Sequence, residues 1–212
     1  MRWSLVIPLK PLALAKSRLA DTAGDGPRPG LALAFAQDTV AAALACPAVR
    51  DVAVVTDDAL AGPELAALGA RIVPDTPRSG LNAALTHAAA AVRAAHPESA
   101  LAALNADLPA LRPLELARVL DTAAQFPRSF LPDAAAIGTT LLAVAPGREL
   151  LPAFGADSRA RHRASGATEL VVDAVDSVRQ DVDTGEDLRA ALALGVGPRT
   201  AAAAARLLIP EQ

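Results

Sequence analysis

The chain has 212 residues, of which 52 % are hydrophobic and only 2 % aromatic, and its 20 basic and 23 acidic side chains leave a net charge of −3. That length and apolar share suit a single α/β domain whose core is built from Ala, Val, Leu and Ile. No basic run marks a polyanion-binding face, the lack of Tyr and the single Trp argue against base-stacking platforms, and the lone Cys46 excludes both an internal disulfide and a Cys-based metal cluster.

In chain order, residues 4–8 (SLVIP) read as a short apolar strand, and residues 27–45 as a helix with Leu31 and Phe35 on one face. Residues 51–56 (DVAVVT) are a β-branched strand. A short helix over 63–68 and a strand over 71–73 follow, then a helix over 81–95 and a fully apolar strand over 100–104. Residues 113–124 form a helix that opens with Pro113, at a position where a missing N–H costs nothing. Beyond 125 the pattern loosens into SFLPD, IGTTLLAVAP and the polar insert GADSRARHRASG; a strand at 169–172 and helices at 184–194 and 199–208 complete the chain. Alternating strand and helix predicts one domain over 1–212, a mostly parallel sheet flanked by helices on both faces. The start (MRWSLVIPLK) lacks a signal-peptide pattern, and charges and prolines interrupt the alanine-rich stretches. Both features predict a cytoplasmic protein with no membrane span and no nucleic-acid partner.

In open α/β sheets ligands bind beyond the carboxyl ends of strands, so the post-strand loops carry the candidates. The first, LKPLALAKSRLA, places Lys10, Lys16 and Arg18 in an apolar loop: either a solvated basic turn or a phosphate clamp. It has no glycine and is neither a Walker A nor a GxGxxG loop. In Asn105-Ala106-Asp107-Leu108-Pro109 a carboxylate emerges at the end of a buried strand. Asp107 could simply start a turn, but one or two carboxylates are also what Mg2+ takes alongside phosphate oxygens and waters. In DVDTGEDL, Thr184 and Asp187 read as a capping box, which leaves Asp181 or Asp183 for a second metal ligand. Gly80 and Asn82 precede a helix and suit either a plain loop or a base-edge contact. Gly155 and Ser158 stand at the start of an arginine-bearing segment and suggest an anion site at a helix N-terminus. Lone His162 reads as a surface or packing residue rather than a catalytic base, and Cys46 as inert packing.

Taken in order, KPLALAKSRLA, SGLNAAL, LNADLPAL, IGTTLL, FGADSRARHRASGA and DVDTGEDL resemble the guanylyltransferases of coenzyme F-420 biosynthesis, over about residues 4–198. AKSRLA combined with FG-x-DS-x-ARH-x-x-SGA carries most of that likeness. The resemblance implies a single-domain nucleotidyltransferase fold of glycosyltransferase-A type. It implies transfer of GMP from GTP to phosphoenolpyruvate, giving enolpyruvyl-diphospho-5'-guanosine and pyrophosphate with Mg2+ as cofactor. It also implies roles. Asp107 and Asp183 match the metal-binding carboxylates, and Lys16 and Arg18, with Asp107, the catalytic phosphate-handling set. Thr139, Gly155 and Ser158 match the phosphoenolpyruvate contacts, and Lys10, Gly80 and Asn82 the nucleotide side. IGTTLL lacks the second glycine of a GTGT pattern, so Thr139 and Thr140 both stand as candidates for the acceptor contact.

The acceptor's phosphate is already nucleophilic at neutral pH, so the absence of a Ser-His or Cys-His pair is expected. The alternatives are 2-phospho-L-lactate or 3-phosphoglycerate as acceptor, or a GTP-binding subunit without chemistry. Nucleotidyltransferases for molybdopterin or methylerythritol phosphate would bring a glycine-rich first loop, which is absent. Assembly as a homodimer and hand-over of the labile product to the downstream transferase are left open by the residues.

Overall fold

The computed structural model describes residues 1–14, 28–76 and 78–207. Seven strands form one sheet: β1 (Trp3–Pro8), β2 (Val49–Val55), β3 (Arg71–Val73), β4 (Ala100–Leu104), β5 (Arg128–Pro132), β6 (Thr139–Val144) and β7 (Thr168–Glu169), in the order β3-β2-β1-β4-β6-β5-β7. The β3–β2, β2–β1 and β1–β4 pairs are parallel, as is β5–β7; β6 runs antiparallel to both β4 and β5. The expected mostly parallel sheet is therefore present, with one reversed strand inside it. That reversal brings the start of β6 to the edge where β1, β4 and β5 end.

The helices are α1 (Arg28–Leu44), α2 (Ala61–Ala67), α3 (Leu81–Ala95), α4 (Pro113–Ala123), α5 (Ser158–Ala164), α6 (Asp176–Arg179), α7 (Gly185–Leu194) and α8 (Pro198–Leu207). Strand side chains alternate between two cores, as a pleated strand buried on both faces requires. Leu5, Ile7, Val52, Val54, Ala102, Leu104, Leu141 and Ala143 bury toward α1, α2 and α4. Val6, Ala53, Val55, Leu101, Ala103, Leu142 and Val144 bury toward α3. A smaller cluster joins Leu31 and Phe35 of α1 to Ala110, Val182, Leu188 and Ala191, tying α7 and its leading loop to the body. Asp38 of α1, buried, accepts from the backbone of Arg199 (3.3 Å) and Thr200 (2.7 Å) and so caps α8.

Two elements differ from the sequence reading. The strand expected over 169–172 is only Thr168–Glu169: Leu170 still donates to the Phe130 carbonyl, but Val171 is 87 % exposed and Ala174 takes a positive φ of 54°, so the chain has left the sheet. The loose stretch after 125 resolves into two true strands, β5 and β6, joined by a turn at 133–138. Among the described residues no helix is long and apolar enough to cross a membrane.

Candidate active site

A cleft of about 680 Å³ opens at the carboxyl edge of the sheet. Its walls come from the ends of β1 (Pro8 to Lys10) and β4 (Asn105 to Asp107), the 133–138 turn, Thr139, the loop from Phe154 to Ser158, Leu81 at the head of α3, and Asp181 with Asp183. Asp107 and Asp183, far apart in sequence, thus meet one space. Backbone geometry brings them there. The Val182 N–H donates to the Asp107 carbonyl at 3.1 Å, and the fully buried Val182 side chain anchors among Leu31, Phe35 and Ala110. Val182 is held inward while its two acidic neighbours line the cleft.

The loop is fixed from the other end by the predicted capping box. Asp187 Nα–H donates to Thr184 Oγ1 at 3.3 Å, and Asp187 Oδ2 accepts from Thr184 N (2.8 Å), Thr184 Oγ1 (2.8 Å) and Asp183 N (3.1 Å). The cap therefore also sets the backbone of Asp183. Among the described residues no three acidic, His or Cys side chains gather closely enough to form a metal site by themselves; Asp107 with Asp183 offers at most two hard carboxylate donors, which is what Mg2+ or Mn2+ takes when phosphate oxygens and waters complete its shell. The described lining of the cleft includes five carboxylates (Asp107, Asp133, Asp157, Asp181 and Asp183) and the Lys10 ammonium.

The opposite wall is organised by side chains. Asp133 closes its own turn, accepting from Ile137 N (2.9 Å) and Gly138 N (2.8 Å). A Cβ on Gly138 would collide with that carboxylate, so only glycine fits. The next residue, Thr139, lines the cleft, and its Oγ1 lies 2.9 Å from His162 Nδ1. Thr140, fully buried, does not line the cleft, because adjacent residues of a strand face opposite ways. His162 is fully buried and not at the surface. Its Nε2 accepts from Ala153 N at 3.0 Å, and its ring packs against Phe130 and edge-on against Phe154. Burial, reinforced by the positive charges of Arg128 and Arg161, lowers its pKa to about 4.

Gly155 (φ 114°) and Ser158 both line the cleft, with Ser158 itself 2 % exposed. The helix they introduce, α5, has only seven residues and an N-cap, Asp157, in the left-handed region with no side-chain cap. An anion here would be met by the Ser158 hydroxyl and local N–H groups more than by a long helix dipole. The three arginines of the segment are occupied. Arg159 Nη2 pairs with Glu169 at 2.8 Å and Arg163 also pairs with Glu169, while Arg161 donates to the Phe154 carbonyl at 3.1 Å. The hydrogen bond from Arg159 holds the Glu169 carboxyl below its ordinary range.

Gly80 and Asn82 are placed differently from Leu81 between them: neither lines the cleft. The Asn82 amide is engaged with the Phe154 backbone, Nδ2 donating to its carbonyl (3.1 Å) and Oδ1 accepting from its N–H (2.8 Å). The side chain read as a base-edge contact therefore ties α3 to the loop at Phe154. Lys16 and Arg18 lie outside the described residues. The described start of their loop is fastened by Asp58, which accepts from Leu12 N at 2.8 Å and from Leu60 N and Ala61 N. Burial raises the Asp58 pKa, but these three bonds outweigh it and leave the group below its usual value. Cys46 is buried, and burial pushes its thiol up, away from reactivity. Sequence reasoning missed the roles of Asp133 and His162. An Asp just past a strand and five residues before a Gly was the available signal for the first; the second had none.

A mostly parallel sheet with one reversed strand and a cleft at its carboxyl edge is an α/β architecture shared with solved nucleotidyltransferases. A nucleotidyl transferase from Methanothermobacter thermautotrophicus has the same fold, with a TM-score of 0.62 at 22 % identity over 91 % of this chain and 97 % of that one. So does Rv0371C from Mycobacterium tuberculosis, solved as a manganese complex, with a TM-score of 0.56 at 20 % identity over 91 % and 99 %. The chain belongs to the family described as Guanylyl transferase CofC like, whose model matches residues 3–205. It is 81 % identical, over 99 % of its length and 97 % of the relative's, to a phosphoenolpyruvate guanylyltransferase of Streptomyces avermitilis.

Proposed function

We propose that this enzyme, acting as one domain over residues 1–212, transfers GMP from GTP to phosphoenolpyruvate and releases pyrophosphate, a step that serves coenzyme F-420 biosynthesis. The observation that carries the reading is that one cleft is lined by Asp107 and Asp183 together with Thr139, Gly155 and Ser158. The 81 % identity to a relative bearing that name selects the acceptor among similar phosphates.

In this reading an oxygen of the acceptor phosphate attacks the α-phosphorus of GTP. The new P–O bond forms as the bond to the β-phosphate bridging oxygen breaks, and that oxygen leaves with pyrophosphate. No general base is required, and His162, neutral and buried, is not placed to act as one. The difficulty is charge, because two polyanions must meet in one cleft. Asp107 and Asp183 would hold a divalent cation, Mg2+ in this reading, whose charge when bound neutralises phosphate oxygens and aligns them. Lys10, Lys16 and Arg18 supply the remaining positive charge on the nucleotide side. Thr139, Gly155 and Ser158 orient the acceptor, which converts a meeting of two repelling anions into a positioned attack.

The test is product identity. Mass spectrometry of a reaction with GTP, Mg2+ and phosphoenolpyruvate should show a guanosine diphosphate ester that retains the enolpyruvyl group. GDP or GMP as the guanosine product would contradict the reading.

A further inference from the structure

The acceptor wall contains a hydrogen-bond chain whose direction is fixed by chemistry. A backbone N–H can only donate, so Ala153 N–H, 3.0 Å from His162 Nε2, requires a lone pair on that nitrogen. A proton on Nε2 would set two donors against each other. The ring proton of the neutral imidazole must then sit on Nδ1, which faces Thr139 Oγ1 at 2.9 Å. Thr139 therefore accepts from the histidine, and its own O–H is left to donate. Among the described residues no other acceptor takes that proton, and Thr139 lines the cleft.

We propose that His162 is a positioning residue for acceptor binding: as the Nδ1–H tautomer it donates to Thr139 Oγ1 and so directs the Thr139 hydroxyl proton into the cleft, toward an anionic oxygen of the phosphorylated acceptor. This rests on the reading of Thr139 as an acceptor contact. The ring is well placed to hold one orientation. It is fully buried, 5.7 Å from the Phe130 ring and 5.1 Å from Phe154 in an edge-on contact. Its depressed pKa keeps it neutral through the physiological range, so the arrangement does not switch with small changes in pH. The same histidine couples Thr139 of β6 to Ala153, at the head of the 153–158 loop.

Two variants separate the two ends of the imidazole. His162→Asn places an amide N–H where Nδ1 stands and keeps the donor to Thr139. His162→Gln reaches the Nε2 position, keeps the acceptor for Ala153 and loses the donor. His162→Gln should raise the KM for phosphoenolpyruvate about tenfold, with the KM for GTP unchanged, since a hydrogen bond to a charged group is lost or misdirected. His162→Asn should stay close to wild type. In a Thr139→Val background the His162→Gln effect should vanish, because both act through one hydroxyl. Independent multiplication of the two effects, equal impairment of His162→Asn and His162→Gln, or a matching rise in the KM for GTP would overturn the proposal. So would nitrogen NMR of the wild-type imidazole, needing no variant, if it put the proton on Nε2. A wild-type enzyme that releases no pyrophosphate with phosphoenolpyruvate would sink the functional reading instead, while the tautomer stands or falls on the NMR alone.

Discussion

The two walls of the cleft are built by different means. On the carboxylate wall, Asp107 and Asp183 are placed by local structure: the end of β4, a Val182-to-Asp107 backbone bond, and the α7 cap, whose Asp187 carboxylate holds the Asp183 N–H. On the other wall, Thr139, Gly155 and Ser158 are placed by side-chain bonds: Asp133 closes its own turn, buried His162 joins Thr139 to Ala153, and half-buried Asn82 holds the Phe154 backbone. Local placement confines the sensitivity to the ligand and the few residues beside it. Side-chain placement spreads the sensitivity to residues that never touch substrate.

The contrast can be broken by substitution, and the largest effect belongs to the carboxylate wall. Asp107→Asn should lower kcat by about 10²–10³-fold, the usual cost of removing one electrostatic partner from a transition state, while thermal unfolding by circular dichroism stays near wild type. Retention of wild-type kcat would remove Asp107 from the chemistry. Thr139→Val should act on the other wall alone, raising the KM for phosphoenolpyruvate about 10- to 100-fold, as expected for a hydrogen bond to a charged oxygen, and leaving the KM for GTP in place. Steady-state kinetics with each substrate varied in turn separates these outcomes.

Acid should distinguish the walls through stability. The folded pKa of His162 lies at about 4 against an ordinary 6.5, so the unfolded chain binds more protons between those values. Stability is then greatest above about pH 6.5 and declines as pH falls toward 4. Arg128 and Arg161 are the charged groups that oppose its protonation. Denaturant titrations across that range should show the slope, and His162→Gln should flatten it; losses at lower pH, where Asp58 and Glu169 protonate, should persist. The smallest effect is Thr184→Ala, which removes the α7 cap. About 0.5–2 kcal/mol of stability and a few degrees of melting temperature should be lost, with turnover changed little because Val182 still anchors the loop. A collapse of kcat in Thr184→Ala would mean that the cap, not the strand-like backbone, positions Asp183.

The same division explains what could be read from the residues. The apolar run at 100–104 followed by Asp107, the β-branched run DVAVVT and the Thr184–Asp187 spacing are local patterns, and the structure places each close to where they pointed. The seven-stranded sheet could be anticipated as mostly parallel, but not the reversed β6, since SFLPD and IGTTLLAVAP carry no mark of direction. The acceptor wall was legible only as a set of polar residues. Asn82 looked free to meet a base, yet it bonds a backbone 72 positions away, and His162 looked like packing although it orients a hydroxyl 23 positions earlier. Long-range side-chain pairing has no period in a sequence, whereas strand ends and helix caps do.

Pyrophosphate release by the purified wild-type chain, with GTP and Mg2+, tests the central claim most directly when phosphoenolpyruvate, 2-phospho-L-lactate and 3-phosphoglycerate are offered separately. The account predicts release that depends on phosphoenolpyruvate and falls away with the other two. Release without any acceptor, or none with phosphoenolpyruvate while GTP still binds, would contradict it.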